Sequence, residues 1–437
     1  MTTERRLERD LPQILGDLAM GPYPDYIDDV LATTAQRRQR PAWTFPERWL
    51  PMDIVTTRVP TTAFPWRQLG LLAMIALLAA AALAVYVGTQ PRLPQPFGLA
   101  RNGLVAYAAE GDIYTVNPVI GVATAIVAGP DTEIGPRFSL DGTHVVFERK
   151  IKGDIGPGQL YVARSDGTDL TLVTPEPVWL TTSLLGEPWV QYQFSPDGRS
   201  VLIASSDGGY PTISVAQSDG SGVRRLDVGM AAYEPSFRPP DGAEILFVGN
   251  GSGSGHDLFA VDPSTGTVRT IIESPIGFDL AGARWSPNGS QIAYWSWGPG
   301  PGLGLTVRTR VISADGTGDR ELPTHPDAIW NAGSEWSNDG TRLFLRRGYT
   351  ELFEDVRPVV IPADGSSLGI EFRYPGVMNA ACCSAWEWSP DDSAILGTPT
   401  DNLGRPMQQV TIDPLTGVVR PTTWSSTSEP TWQRVAH

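Results

Sequence analysis

The sequence predicts an all-β chain, a seven-bladed β-propeller carried behind an N-terminal helical tail and one transmembrane helix. Three observations predict it. A phrase of aromatic, tight turn and apolar strand returns in near-copy along most of the chain. A second, hairpin-type turn follows each copy. One long apolar run without a charge stands upstream of all of them.

Taken in order, residues 1–40 form a helical tail on the cytoplasmic side. Stretches 3–20 and 25–38 have helical character, with Asp25 as a cap. The acids in the first turn of IDDVLATTAQRR and the arginines in its last suit the helix dipole. Residues 41–68 carry Pro41, Pro46, Pro51, Pro60 and Pro65, which block helix and make an extended juxtamembrane linker. Its Trp43, Phe45 and Trp49 are placed to touch a membrane surface.

Residues 69–88, LGLLAMIALLAAAALAVYVG, are long and apolar enough to cross a bilayer as a helix. Trp66 and Tyr86 sit at its ends, where interfacial aromatics are favoured. Arg48, Arg58 and Arg67 precede the span, against Arg92 and Arg101 after it. That bias sets the N-terminus inside and the large remainder outside the cytoplasm. Residues 89–96 are a linker, and 97–437 are the propeller.

The repeated phrase reads RFSLDGTHVVF from Arg137, QFSPDGRSVLI from Gln193 and SFRPPDGAEILF from Ser236. It continues as RWSPNGSQIAY from Arg284, EWSNDGTRLFL from Glu335 and EWSPDDSAILG from Glu387. In each, Asp or Asn accepts backbone N–H groups within the turn and Gly takes the positive φ. The hairpin turns are NPVIG at 117–121, SDGT at 165–168, SDGS at 218–221, DPSTG at 262–266, ADGT at 314–317, ADGS at 363–366 and DPLTG at 413–417. Each unit is therefore four strands, A-turn-B-loop-C-turn-D, and it recurs about every 50 residues, the period of a propeller blade. The first hairpin lacks a strand A, and SEPTWQRV at 428–435 is a strand A with nothing after it. Pro430-x-Trp432 matches Pro136-x-Phe138 and Pro235-x-Phe237, so the C-terminal strand is expected to close the first blade. That gives seven blades, with six or eight left open if one blade is irregular.

Composition narrows the function. A net charge of −15 argues against nucleic acid, whose phosphates require Lys and Arg. The 46 Gly and 39 Pro suit many turns, and the 14 Trp need burial or a ligand. The two Cys, Cys382 and Cys383, are adjacent and read as two thiols rather than a strained bond. The four His show no metal-ligand spacing, so no metal or other cofactor is expected. No nucleophile elbow, P-loop, zinc or dinucleotide motif occurs, and the chain is expected not to be an enzyme.

The (W/F)SPDG-strand repeat resembles the TolB-type, WD-repeat-like propeller repeats of bacterial envelope proteins. That family includes periplasmic scaffolds that bind partners and propellers joined to peptidase domains. The resemblance implies a propeller fold and a binding role. The tail resembles the cytoplasmic segment of single-span anti-sigma regulators, although it has no Cys or His for their zinc motif.

The A–B and C–D turns share one face and are uniform. The D–A and B–C loops on the other face are long and varied, as at 174–189, 322–334 and 373–386 or 249–257, 296–305 and 347–355. A rigid scaffold presenting variable loops is the usual location of a site. Trp179, Trp189, Trp297, Trp330 and Tyr349 are the candidate contacts on that face. Glu133, Glu234, Asp279 and Glu429 precede A strands and are candidates to ring the channel mouth and attract a cation or basic peptide. The expected partner is a protein, peptide or glycan of the envelope. The alternatives are a signalling regulator acting through a cytoplasmic partner of the tail, and a lyase or hydrolase using acids on the loop face.

Overall fold

The computed structural model describes residue 32, the helix at 66–89 and residues 97–436, apart from 155, 181–190, 208, 252–254, 301–303, 351–354, 373–384 and 400–407. The tail helices, the Pro-rich linker up to residue 65, Trp189 and the Cys382–Cys383 pair lie outside the described residues. Two compact units divide the chain, Met1–Gln90 and Pro91–His437.

In the first unit one α-helix runs Trp66–Thr89, 24 residues, about 36 Å at 1.5 Å per residue. It begins three residues before the apolar run and ends one after it. Side chains are described only for residues 70–81, and there Leu72, Leu77 and Leu78 are exposed. Among the described residues no helix is identified as long and apolar enough to cross a membrane.

The second unit is all-β and propeller-like. Among the described residues its strands form six sheets, antiparallel but for one residue pair. Five are separate blades, with inner strands Thr431–Val435, Thr132–Phe138, Tyr192–Phe194, Ala232–Phe237 and Ala385–Trp388. The sixth has eight strands, in two four-stranded runs that start at Asp279–Trp285 and Trp330–Trp336. A single parallel residue pair, Val307 with Trp330, joins the two runs. The C-terminal strand closes the first blade as its repeat match predicts: Trp432 pairs with Val105 and Val435 with Arg101.

The aromatic of each phrase packs back onto the preceding blade. Phe138 lies against Ala106 and Ile113, and Phe194 against Val146 and Leu160. Phe237 lies against Leu202 and Ile213, and Trp285 against Leu246 and Leu258. Trp336 meets Ala293 and Val311, and Trp388 meets Phe344 and Val360. Trp432 completes the circuit on Leu396. Burying each such ring contributes about 1.5–3 kcal/mol. Two indoles also stitch backbones: Trp336 Nε1 donates to the Arg284 carbonyl at 3.2 Å, and Trp388 Nε1 to that of Glu335 at 3.1 Å.

The turns are built by side chains. Ser286 Oγ donates to Asn288 Oδ1 at 2.8 Å and accepts from the Gln291 N–H at 3.0 Å. Ser139, Ser195, Ser337 and Ser389 do the same with Asp141, Asp197, Asp339 and Asp391. Ser286 is therefore occupied as architecture, and among the described residues its hydroxyl meets only Asn288 and the Gln291 N–H.

These hydrogen bonds hold the turn aspartates below the usual carboxylate range. Asp141, Asp197, Asp339 and Asp391 are lowered despite burial, which opposes the shift, and Asp262 falls to about 2. A depressed folded pKa means stability present above the unfolded value, about 3.9, and lost as pH falls through the folded one. Thermal midpoints are thus expected to hold from pH 7 to about 5 and to drop steeply below about 4. Asp391→Asn should flatten part of that drop. A midpoint independent of pH from 5 to 3 would contradict the assignment.

Candidate functional site

The inner strands carry an irregularity that the repeat phrase hides. Register slips between Ile134 and Arg137, Tyr233 and Ser236, Ala281 and Arg284, and Ala332 and Glu335. These are β-bulges, which bend a strand and re-aim the side chain that follows. Gly135 and Gly282 take the left-handed φ such a bulge requires, at 64° and 65°. At the matching place in another blade stands Glu234, a non-glycine at φ 56°. It is 4% exposed, and its Oε2 accepts the Gly282 N–H at 2.8 Å. Local strain of this kind, of order 1–3 kcal/mol, tends to persist at functional positions.

The residue just before each aromatic then faces the axis. Arg137, Gln193, Ser236, Arg284, Glu335, Glu387 and Thr431, one per inner strand, all line one cavity of about 410 Å³. Its walls are the aromatics of the phrases other than Trp285, together with Trp295, Phe344 and Trp386.

The charges in this cavity form a partly satisfied network. The Arg137 guanidinium contacts Glu429 and lies 3.7 Å from Glu387. Arg284 lies 3.7 Å from Glu335, too long for a hydrogen bond. Glu387 Oε1 accepts from the Trp432 N–H at 3.0 Å and the Thr431 hydroxyl at 3.2 Å. Among the described residues nothing donates a hydrogen bond to the Glu335 carboxylate, and its side chain is 38% exposed, against 18% for Arg284. Glu387 is 34% exposed to the cavity, and Arg137 15%. Distance from bulk water pushes the Glu387 carboxyl up, against the pull of Arg137, and pushes the Arg284 guanidinium down.

At the turn-side mouth, Arg434 donates to Asn338 Oδ1 at 2.8 Å and to the Gly98 carbonyl. Asp392 stands where other turns have Gly, at φ 59°, and accepts the Asn338 and Asp339 N–H groups at 2.7 and 2.9 Å. The left-handed strain there is offset by a tie between neighbouring blades. Phe97 lies at the same mouth.

Of the residues singled out from the sequence, Glu234 and Glu429 line the cavity. Glu133 does not: it is fully buried and bonded to Arg149 at 2.8 Å, with burial pushing its carboxyl up. Asp279 bonds the His256 ring at 2.8 Å. The loops expected at 296–305 and 322–334 are shorter than the sequence suggests. Trp297 belongs to the strand Gln291–Pro299, and Trp330 opens the strand Trp330–Trp336. Both pack with Trp295 and Ala281 as core, because Gly348 opposite Trp330 leaves its indole room to lie flat across the sheet. Tyr349 contacts Glu371 and carries the Arg357 guanidinium 4.0 Å above its ring. Trp179 is 57% exposed on the short strand Trp179–Leu180.

The ring itself was missed. Its signal was present as a polar residue of changing type, Arg, Gln, Ser, Arg, Glu, Glu and Thr, directly before the aromatic of each phrase. Among the described residues no group of three or more His, Cys, Asp or Glu is placed to hold a metal ion.

No family model matches the chain. Among solved structures it is similar to an oligogalacturonate lyase from Vibrio parahaemolyticus, at 12% identity and TM-score 0.51, over 74% of this chain and 84% of that one. It is also similar to a prolyl endopeptidase, at 15% identity and TM-score 0.50, over 84% of this chain. The chain spans 56% of that endopeptidase's length. TolB from Acinetobacter baumannii is a further neighbour, at 16% identity and TM-score 0.45, over 75% of this chain and 81% of that one. At these identities the likeness shows the β-propeller architecture alone.

Proposed function

We propose that this chain is a binding module that takes a partner from the bacterial envelope into the central channel of its propeller. The observation that carries the reading is the ring from Arg137 to Thr431. It sets an unlike residue at the same place on each inner strand, immediately before the aromatic, and all seven line a cavity of about 410 Å³. That volume lies within the range of small-ligand sites. Uniform turns build the scaffold, and the varied ring gives it a specificity. In the same reading the eight-stranded sheet counts as two blades, since each half has its own Ser-anchored turn and only one residue pair joins them. The propeller then has seven blades.

The helix Trp66–Thr89 is taken as a membrane anchor, with the tail cytoplasmic and the propeller outside. Its exposed leucines support this, because lipid covers a leucine surface that water penalises by about 25 cal/mol per Å². A photo-crosslinking residue at Gln193, inside the channel, should capture a partner in the intact membrane. One at Trp179 should not. Capture at Trp179 with none at Gln193 moves the site to the loop face and overturns the channel reading.

A second reading, an enzyme acting through channel acids, is favoured by the unlike surroundings of Glu335 and Glu387. Among the described residues Glu335 accepts no hydrogen bond, whereas Glu387 accepts two and is pushed up by burial. General acid–base pairs are built from carboxyl groups in unlike surroundings. Chemical change of the captured partner by the native chain, abolished by both Glu335→Gln and Glu387→Gln, would establish it.

A further inference from the structure

Building on the channel reading, we propose that the group the cavity receives is a basic side chain of a protein partner, a guanidinium or ammonium seated between Glu335 and Glu387. Four observations carry this. Glu335 and Glu387 stand on successive inner strands, Trp330–Trp336 and Ala385–Trp388, and face one cavity. They are more open than the arginines beside them, 38% and 34% against 18% and 15%. Both are held by arginine at 3.7 Å, short of hydrogen-bond contact, and Glu335 accepts no hydrogen bond among the described residues. Two like charges facing one enclosed space repel, and a cation between them relieves the repulsion while gaining charge-assisted hydrogen bonds.

The surroundings favour the same choice. The neighbouring walls are the aromatic residues Trp336, Trp386, Trp388 and Phe344, a residue type that attracts cations, as Trp388 does with the Arg342 guanidinium 5.0 Å from its ring. A carboxylate ligand would have to draw Arg137, Arg284 or Arg346 from its present partners and would meet Glu335 and Glu387 as like charges. Across the ring, Ser236 is 7% exposed and its hydroxyl has no hydrogen-bond partner among the described residues. A peptide presenting the basic side chain has backbone N–H and carbonyl groups to meet it. Guanidinium and ammonium share the chemistry, and the probes separate them.

The test is calorimetric titration of the full chain in detergent micelles with four probes: the N-acetyl amides of arginine, lysine, citrulline and glutamate. The arginine or the lysine amide should bind. Citrulline, which keeps the shape of arginine without its charge, should bind at least tenfold more weakly, as should glutamate. Glu335→Gln should weaken the basic probe at least tenfold while keeping a cooperative melt, since the loss is the 3.7 Å contact with Arg284 and no hydrogen bond. Glu387→Gln should weaken it as well. Equal binding of citrulline, preference for glutamate, or full binding by Glu335→Gln overturns the proposal. If neither basic probe binds while Gln193 still captures a partner, the channel reading stands and the basic-group assignment falls. If Gln193 captures nothing either, both fall.

Discussion

Replacing Trp432 by alanine is expected to lower the stability of the propeller by about 3–5 kcal/mol, the usual cost of truncating a buried aromatic. The native state is stable by only about 5–15 kcal/mol, so the variant should melt well below the parent. The reason lies in what the residue joins. Trp432 is 6% exposed, lies opposite Val105 in the first blade, and packs on Leu396 of the last. Its backbone N–H, which the variant keeps, donates to Glu387. Its neighbours Gln433 and Arg434 reach Gly142 and Asn338, at 2.8 Å each. One strand thus ties blades on both sides of the seam. Removing residues 428–437 altogether takes away the inner strand of the first blade and should abolish cooperative unfolding. Near-UV circular dichroism melts of the full chain in detergent read both effects. An unchanged midpoint in Trp432→Ala would mean that the ring does not depend on this strand.

Gly282→Ala is the second large effect, expected at roughly 2–5 kcal/mol. Two costs add. The residue sits at φ 65°, where an alanine costs about 1–2 kcal/mol, and a Cβ there would overlap the Trp295 indole, an overpacking of about 1–3 kcal/mol. The consequence for function is larger than for the fold. The bulge aims Arg284 at the axis, and its N–H is held by Glu234, so a shifted bulge withdraws Arg284 from Glu335. Glu234→Gly is the informative partner variant. It relieves the left-handed strain but deprives the Gly282 N–H of its acceptor, and the two changes should nearly cancel in stability. Denaturant titration of both variants checks the contrast. Equal losses in the two would show that backbone strain is not what distinguishes the positions.

How much of this the sequence made legible follows from what repeats. Turn chemistry repeats, so the Ser–Asp/Asn turns, the hairpins and the closing match of Pro430-x-Trp432 could be read directly. Bulges do not show in hydrophobic alternation, because one extra residue changes the face of its neighbour without changing composition. Gly135, Gly282 and Gly333 marked three of them, but Glu234 occupies an equivalent place and concealed a fourth. The ring that the bulges aim inward was therefore read past. Trp297 and Trp330 drew attention instead, as aromatics in loops. Their strands extend further than polar and glycine-rich flanks suggest, because Gly348 gives the Trp330 ring a flat bed on the sheet. Glu133 and Glu234 were judged alike from their places before A strands. One is consumed by Arg149, and the other meets the channel.

The central claim, that the partner occupies the channel, is tested most directly by carboxyl footprinting. The full chain is labelled with a carbodiimide and an amine, with and without the partner captured through Gln193. Labelling of Glu335 and Glu387 should fall sharply on binding. The exposed turn residues Asp166 and Asp219 serve as references and should not change. Unaltered labelling at Glu335 and Glu387, with the loss appearing instead at Glu176 and Asp327 on the loop face, would contradict it.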